Sequence, residues 1–276
     1  MDIKTLKDMA PWEWPQNAGK ISLEVLLDDQ ADISDRLFAA HLAGDSTVVN
    51  DELADALLSI LCANSEPDEL RGQAAISLGP ALEMADMDGF EDVDDVTISE
   101  GMFGKIKETL QRLHMDTRAP KEVRRRALEA SVRALQDWHQ DAVRVAYAED
   151  DEEWKLTAVF CMQYVRGFKK EILESLQSEN PDIHYQAIRA AGPWEVKKAW
   201  SHIAGLITSG DTDKDLLIAA IESAALIRPH EVSELLGDLL DSDDEDIAEA
   251  VDEALIFSGA SYDDEDDEDD DRGFLH

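Results

Sequence analysis

Positive charge is what this sequence has least of. Its 25 Lys and Arg stand against 63 Asp and Glu in 276 residues, a formal net charge of −38. So negative a surface repels phosphate backbones and anionic headgroups, which disfavours nucleic acid and membrane as partners. A protein with a basic or mixed-charge surface is the expected partner. Cysteine is almost missing as well. Cys62 and Cys161 lie in the apolar runs LLSILCAN and LTAVFCMQ and read as two free buried thiols, not a disulfide. Long hydrophobic runs are absent: LLIAAI at 216–221 is among the longest and is far too short to span a bilayer. The N-terminal MDIKTLKDMAPWEWP has no apolar signal core, so the expected location is the cytoplasm. Strand-like alternation and the motifs GxSxG and P-loop are missing too, which removes the sequence-visible forms of nucleophilic and phosphate-binding chemistry.

What is present is helical self-similarity. Apolar or small residues recur at i, i+4, i+7 and i+8 as Leu70, Ala74, Ser77, Leu78, then Val123, Ala127, Ala130, Ser131. The pattern returns from Trp154 (Ala158, Cys161, Met162), Ile183 (Ala187, Ala190, Ala191), Leu216 (Ala220, Ser223, Ala224) and Ile247 (Val251, Ala254, Leu255). A weaker copy starts at Ile33, with His41 breaking its fourth place. Most starts are about thirty residues apart, the length of one helical hairpin. Small residues at i+4 and i+7 let a neighbouring helix come close. Gly79-Pro80 and Gly192-Pro193 fall nine and ten residues after their stripes begin, where a left-handed glycine ends one helix and proline opens the next. Second helices follow, for example from Trp138 with Ala142, Val145 and Ala146. Each has one apolar face that needs covering.

NPDIHYQAIRAAG at 180–192 and PDELRGQAAISLG at 67–79 resemble the HEAT-repeat superfamily, and most of all the short bacterial repeats grouped with phycobilin-lyase HEAT-like units. The resemblance covers roughly residues 30–258. It implies an all-α, right-handed α-α superhelix, an armadillo-like HEAT α-solenoid of about seven hairpins whose second helices line the concave side. Residues 1–29 read as a capping segment, with Trp12 and Trp14 covering the end of the first repeat. The array at 30–258 carries an acidic insertion at 84–98. Residues 259–276 read as a disordered acidic tail, since the run 263–271 has no apolar surface to bury.

Chemical candidates are sparse. Asp86, Asp88 and Gly89 mimic part of an EF-hand loop, but Met84 would stand at its first ligand position. His230-Glu231 is a single His-Glu pair, too few donors for a two-metal centre. Lys121, Arg124, Arg125, Arg126 and Arg133 form one basic cluster, read as intramolecular ion-pair partners. No catalytic residue, metal or cofactor is assigned. The candidate partner-binding residues are Trp138, His139, Lys169, Lys170, Trp194, Lys197, Lys198 and Trp200, which recur near the starts of second helices. Aromatic anchors beside cations suit a protein interface. The expected function is a non-enzymatic protein-binding scaffold using the concave face. The alternative is a lyase-like or other protein-modifying factor of the same superfamily. Oligomeric state stays open.

Overall fold

Helix starts are written into the sequence as acceptor side chains. Asn50, Ser99, Asp151, Asn180, Asp213 and Asp244 each cap the first free N–H groups of the helix that follows. The computed structural model describes residues 2–90 and 97–259, which hold sixteen α-helices and no strand. The expectations for residues 91–96 of the insertion and for 260–276 lie outside the described residues.

The chain forms two compact units, Met1–Val165 and Arg166–His276. In the first, α1 (Ile3–Lys7) and α2 (Ala18–Leu26) precede α3 (Ile33–Ala43) and α4 (Asp51–Cys62). Next come α5 (Asp68–Ser77), α6 (Gly79–Asp88), α7 (Glu100–Met115), α8 (Lys121–Ser131), α9 (His139–Ala148) and α10 (Glu152–Cys161). In the second are α11 (Lys169–Ser175), α12 (Pro181–Ala191), α13 (Trp200–Ile207), α14 (Lys214–Ile227), α15 (Pro229–Leu235) and α16 (Glu245–Ser258). The stripe helices stack on one another: α3 on α5 and α5 on α8 in the first unit, α12 on α14 and α14 on α16 in the second.

The first stripe needs correcting. Ile33 is exposed, and the buried face of α3 is Arg36, Ala39, Ala40, Leu42 and Ala43. The repeat therefore starts two residues later, at Asp35. This shift brings Arg36 level with Arg71 and Arg124. All three guanidinium groups donate to a main-chain carbonyl ten residues earlier: Arg36 to Leu26, Arg71 to Leu61 and Arg124 to His114. Each thereby satisfies an acceptor at the C-terminal end of the preceding helix. Arg36 also makes a bidentate pair with Glu66, both bonds 2.7 Å.

The shift also places Gly44 nine residues into its repeat, the position of Gly79 and Gly192. None of the three has a positive φ, so they do not end helices in the left-handed conformation. Their role is close approach. A Cβ on Gly44 would lie 2.2 Å from the Ser77 carbonyl oxygen, and one on Gly192 would lie 3.2 Å from Ser223 Cα. On Gly79 it would meet the Arg133 side chain at 2.7 Å and Ala130 Cα at 3.7 Å. Ser77, Ala130 and Ser223 all hold the i+7 place of the next stripe, which is why that place is small. Gly44→Ala is expected to cost about 1–3 kcal/mol, because the clash is with backbone. Gly104→Ala, in α7 with open space around it, is expected to stabilise by about 0.5–1 kcal/mol. Urea denaturation of the pair checks the opposite signs.

A second device repeats at a spacing of thirty. Lys121 pairs with Asp151 at 2.9 Å and with Glu153, and Lys214 pairs with Asp244 at 2.6 Å and Asp246 at 2.5 Å. In both cases the first residue of one stripe helix grips the N-cap and second residue of the next. Such solvent-facing pairs contribute little stability.

Candidate functional site

The second unit brings four of the eight candidate residues together. Lys169 and Lys170 open α11, while Lys197 and Lys198 form a 3-10 turn that leads into α13. All four line one cavity of about 780 Å³, with Leu173 and Val196 among its apolar walls and Glu174 and Glu195 as its acids. Lys170 pairs with Glu174 at 3.2 Å. Lys169, Lys197 and Lys198 have no ion-pair partner among the described residues. On a chain of net charge −38, this is a concentrated positive recess.

The turn between α12 and the Lys197–Ala199 3-10 helix shapes the recess. Val196 N–H donates to the Ala191 carbonyl at 3.0 Å and Glu195 N–H to the Gly192 carbonyl at 2.8 Å, a Schellman closure. Its left-handed residue is Glu195, with φ 46°, the single non-glycine residue of positive φ among the described residues. Glycine is the usual occupant, so a carboxylate is held at this rim against backbone preference. Trp194 and Trp200 flank the turn, both half-buried. Arg166 lies over Trp194 at 5.3 Å and Arg228 over Trp200 at 5.0 Å, so cation-π contacts already engage both rings.

A second cavity, about 550 Å³, shares Glu195 and Lys197 with the first and continues past Arg228, Pro229 and His230 to Phe257 on α16. Phe257 is 61% exposed. The two recesses form a groove along successive hairpins of this unit.

Trp138 and His139 belong to the first unit, and the structure does not place them in this groove. His139 is buried, with 1% of its surface exposed, and cannot touch a docking partner. The reason is a rotation of one residue: the inward face of α9 is His139, Val143 and Ala146, whereas Val145 is exposed. Gln136 N–H donates to His139 Nδ1 at 3.0 Å, which fixes the neutral ring's proton on Nε2. Nε2 then donates to Ser131 Oγ at 3.0 Å, and Ser131 donates to the Leu128 carbonyl at 3.0 Å. Burial, with help from His114 and Lys107, lowers the His139 pKa to about 4. Trp138 stacks on His114 at a centroid separation of 5.4 Å and lies tilted against the His139 ring at 4.0 Å.

The basic cluster of the first unit is consumed internally. Lys121 holds Asp151 and Glu153, and Arg124 bonds the His114 carbonyl and covers Trp154. Arg125 meets Thr157, Glu122 and Glu153; Arg126 meets Glu122 and Glu129; Arg133 meets Glu83 and Tyr164. Glu129, Arg125 and Thr157 are all buried, so α8 and α10 share an interior ionic network.

Other candidates resolve as follows. Cys161 is buried, and that burial pushes its thiol pKa well up, but Cys62 is exposed beside Arg112, against expectation. Asp86 and Asp88 lie within helix α6, not in a loop. Glu231 pairs with Arg228, leaving His230 exposed. His184 and His202 converge with Nε2 atoms 2.7 Å apart, a pairing that their sequence separation conceals; burial lowers both pKa values. No group of three His, Cys, Asp or Glu among the described residues is placed to hold a metal ion. No described helix is long and apolar enough to cross a membrane. Trp14 donates to the Leu6 carbonyl at 3.1 Å and packs on the core, while Trp12 is 87% exposed.

No family model matches the chain, and no curated protein matches it by sequence. Among solved structures it is similar to YibA from E. coli, with 16% identity over 94% of this chain and 91% of that one and a TM-score of 0.44. Human deoxyhypusine hydroxylase in complex with glycerol is similar at 14% identity over 88% and 96%, TM-score 0.38. An engineered protein is similar at 16% identity over 88% and 97%, TM-score 0.33.

Proposed function

We propose that this protein is a binding module that holds an acidic segment of a partner protein in the lysine-lined groove of its second unit. The observation that carries the reading is the convergence of Lys169, Lys170, Lys197 and Lys198 on one cavity, three of them without an acid partner among the described residues. The net charge alone favoured a basic or mixed-charge partner. The groove reverses that preference locally, because recognition follows the potential at the contact and not the total charge. Apolar walls at Leu173 and Val196 add contact surface of the kind that small recesses use alongside a few polar groups.

The test uses a labelled polyaspartate peptide as probe. Lys169→Glu combined with Lys197→Glu is expected to weaken its binding at least about tenfold, or about 1.4 kcal/mol. Lys7→Glu, at an exposed position on α1, is expected to leave binding near its original value. Equal losses from both changes would show a general charge effect and sink the groove as the site. Binding is also expected to weaken as salt rises.

A further inference from the structure

We infer that the groove's resident occupant is the chain's own acidic C-terminus, residues 263–271, which a partner segment must displace. The inference rests on the reading of the groove as a site for acidic chain. Three observations carry it. The first is where the chain leaves the described structure. Phe257 lines the recess that shares Lys197 with the lysine cavity, and α16 ends one residue later at Ser258. Gly259 follows in the left-handed conformation at φ 74°, its N–H bonded back to Ile256 and Leu255, so the chain turns off the helix axis beside the groove.

The second is length. The acidic run begins four residues past Gly259 and ends eight residues later. An extended chain covers about 3.3–3.6 Å per residue, so the run's start reaches about 14 Å from Gly259 and its end about 40 Å. Compact recesses of about 550 and 780 Å³ are each roughly 10–11 Å across and share Glu195 and Lys197, so a run that extends about 14–40 Å from Gly259 spans the Phe257 recess and reaches the lysines beyond it. The third is charge. DDEDDEDDD brings nine carboxylates to a recess with four lysines and two glutamates. A tether this short gives an effective concentration on the order of millimolar, so an intrinsic dissociation constant below about a millimolar keeps the groove largely filled. An incoming acidic segment then binds with an apparent affinity reduced by the fraction of groove left open.

Two measurements on full-length protein decide the matter. Zero-length carbodiimide coupling joins carboxylates to amines that are in ion-pair contact. In monomer isolated after coupling, peptides from 263–271 are expected to be joined to Lys169, Lys170, Lys197 or Lys198, and high salt is expected to suppress these links. Tail links confined to lysines outside the groove, or found only in coupled dimers, overturn the inference. The second measurement titrates a labelled peptide of residues 260–276 into the natural chain and into a full-length variant whose nine acids at 263–271 are changed to Asn and Gln. The variant is expected to bind at least about tenfold tighter. Equal binding to both chains overturns occupancy by the tail but leaves the groove reading standing. Failure of the variant to bind the peptide at all overturns the groove reading itself.

Discussion

Glu129→Ala is expected to destabilise the first unit by about 3–5 kcal/mol, the usual loss when one member of a buried ionic network is removed. Glu129 is 5% exposed and accepts from Arg126 at 2.7 Å and from Thr157 Oγ1 at 2.5 Å. Thr157 is fully buried and itself accepts from Arg125 Nε at 3.0 Å. Without the carboxylate, the Thr157 hydroxyl hydrogen has no acceptor in place, and Arg126 loses one of the two carboxylates that offset its charge. Glu129→Gln retains an acceptor for Thr157 and is expected to cost about half as much. Urea denaturation measures both. If alanine proves no worse than glutamine, then Arg125 and Arg126 are neutralised by Glu122 and Glu153, and the network's centre lies elsewhere.

Acidification is expected to remove a further part of the stability through His139. Its folded pKa, about 4, lies below the ordinary value near 6.5. The unfolded chain therefore binds the proton first. The stabilisation is complete above the unfolded value and is lost as pH falls from about 6.5 to about 4, reaching about 3 kcal/mol. The cause is burial first, then the nearby His114 and Lys107 charges. Protonation also sets a second ring N–H against the Gln136 amide that now donates to Nδ1. Many carboxylates titrate over the same range, and on so acidic a chain their protonation relieves repulsion. The measurement is thus the difference between the natural chain and His139→Gln, followed from pH 7 to pH 4. That difference is expected to shrink by about 3 kcal/mol. A difference that stays constant over this range would place the His139 proton elsewhere.

Much of the fold was legible because packing residues recur. Ala127, Ala130, Ala187, Ala190 and Ala191 are small and buried as their spacing implies. Legibility failed where one residue of rotation separates two readings. On α3, Ile33 and Leu37 outweigh Asp35 and Arg36 in hydropathy, yet the carbonyl bond of Arg36 decides which face turns inward. On α9, Trp138 and Val145 mimic an apolar face, whereas the bonds of His139 to Gln136 and Ser131 make the neighbouring face the buried one. Buried polar residues need partners that no local pattern displays. The groove was half legible. Two Lys-Lys pairs at helix starts are visible in the sequence, but their convergence depends on the turn at Glu195. A left-handed glutamate there has no local sequence signal.

The contact between a glycine and the small residue of the next stripe helix has a consequence for how such a chain can change length. Gly79 reaches Ala130 across a repeat that contains α6, the insertion and α7, yet Gly192 reaches Ser223 across an ordinary one. The joint depends on two short surfaces and is indifferent to how much chain runs between them. Duplication or loss of a whole hairpin repeat, cut at matching places, leaves a glycine joint such as that of Gly44 with Ser77 with both halves. Growth by copying therefore spares such a joint, whereas a one-residue slip within a stripe helix breaks it.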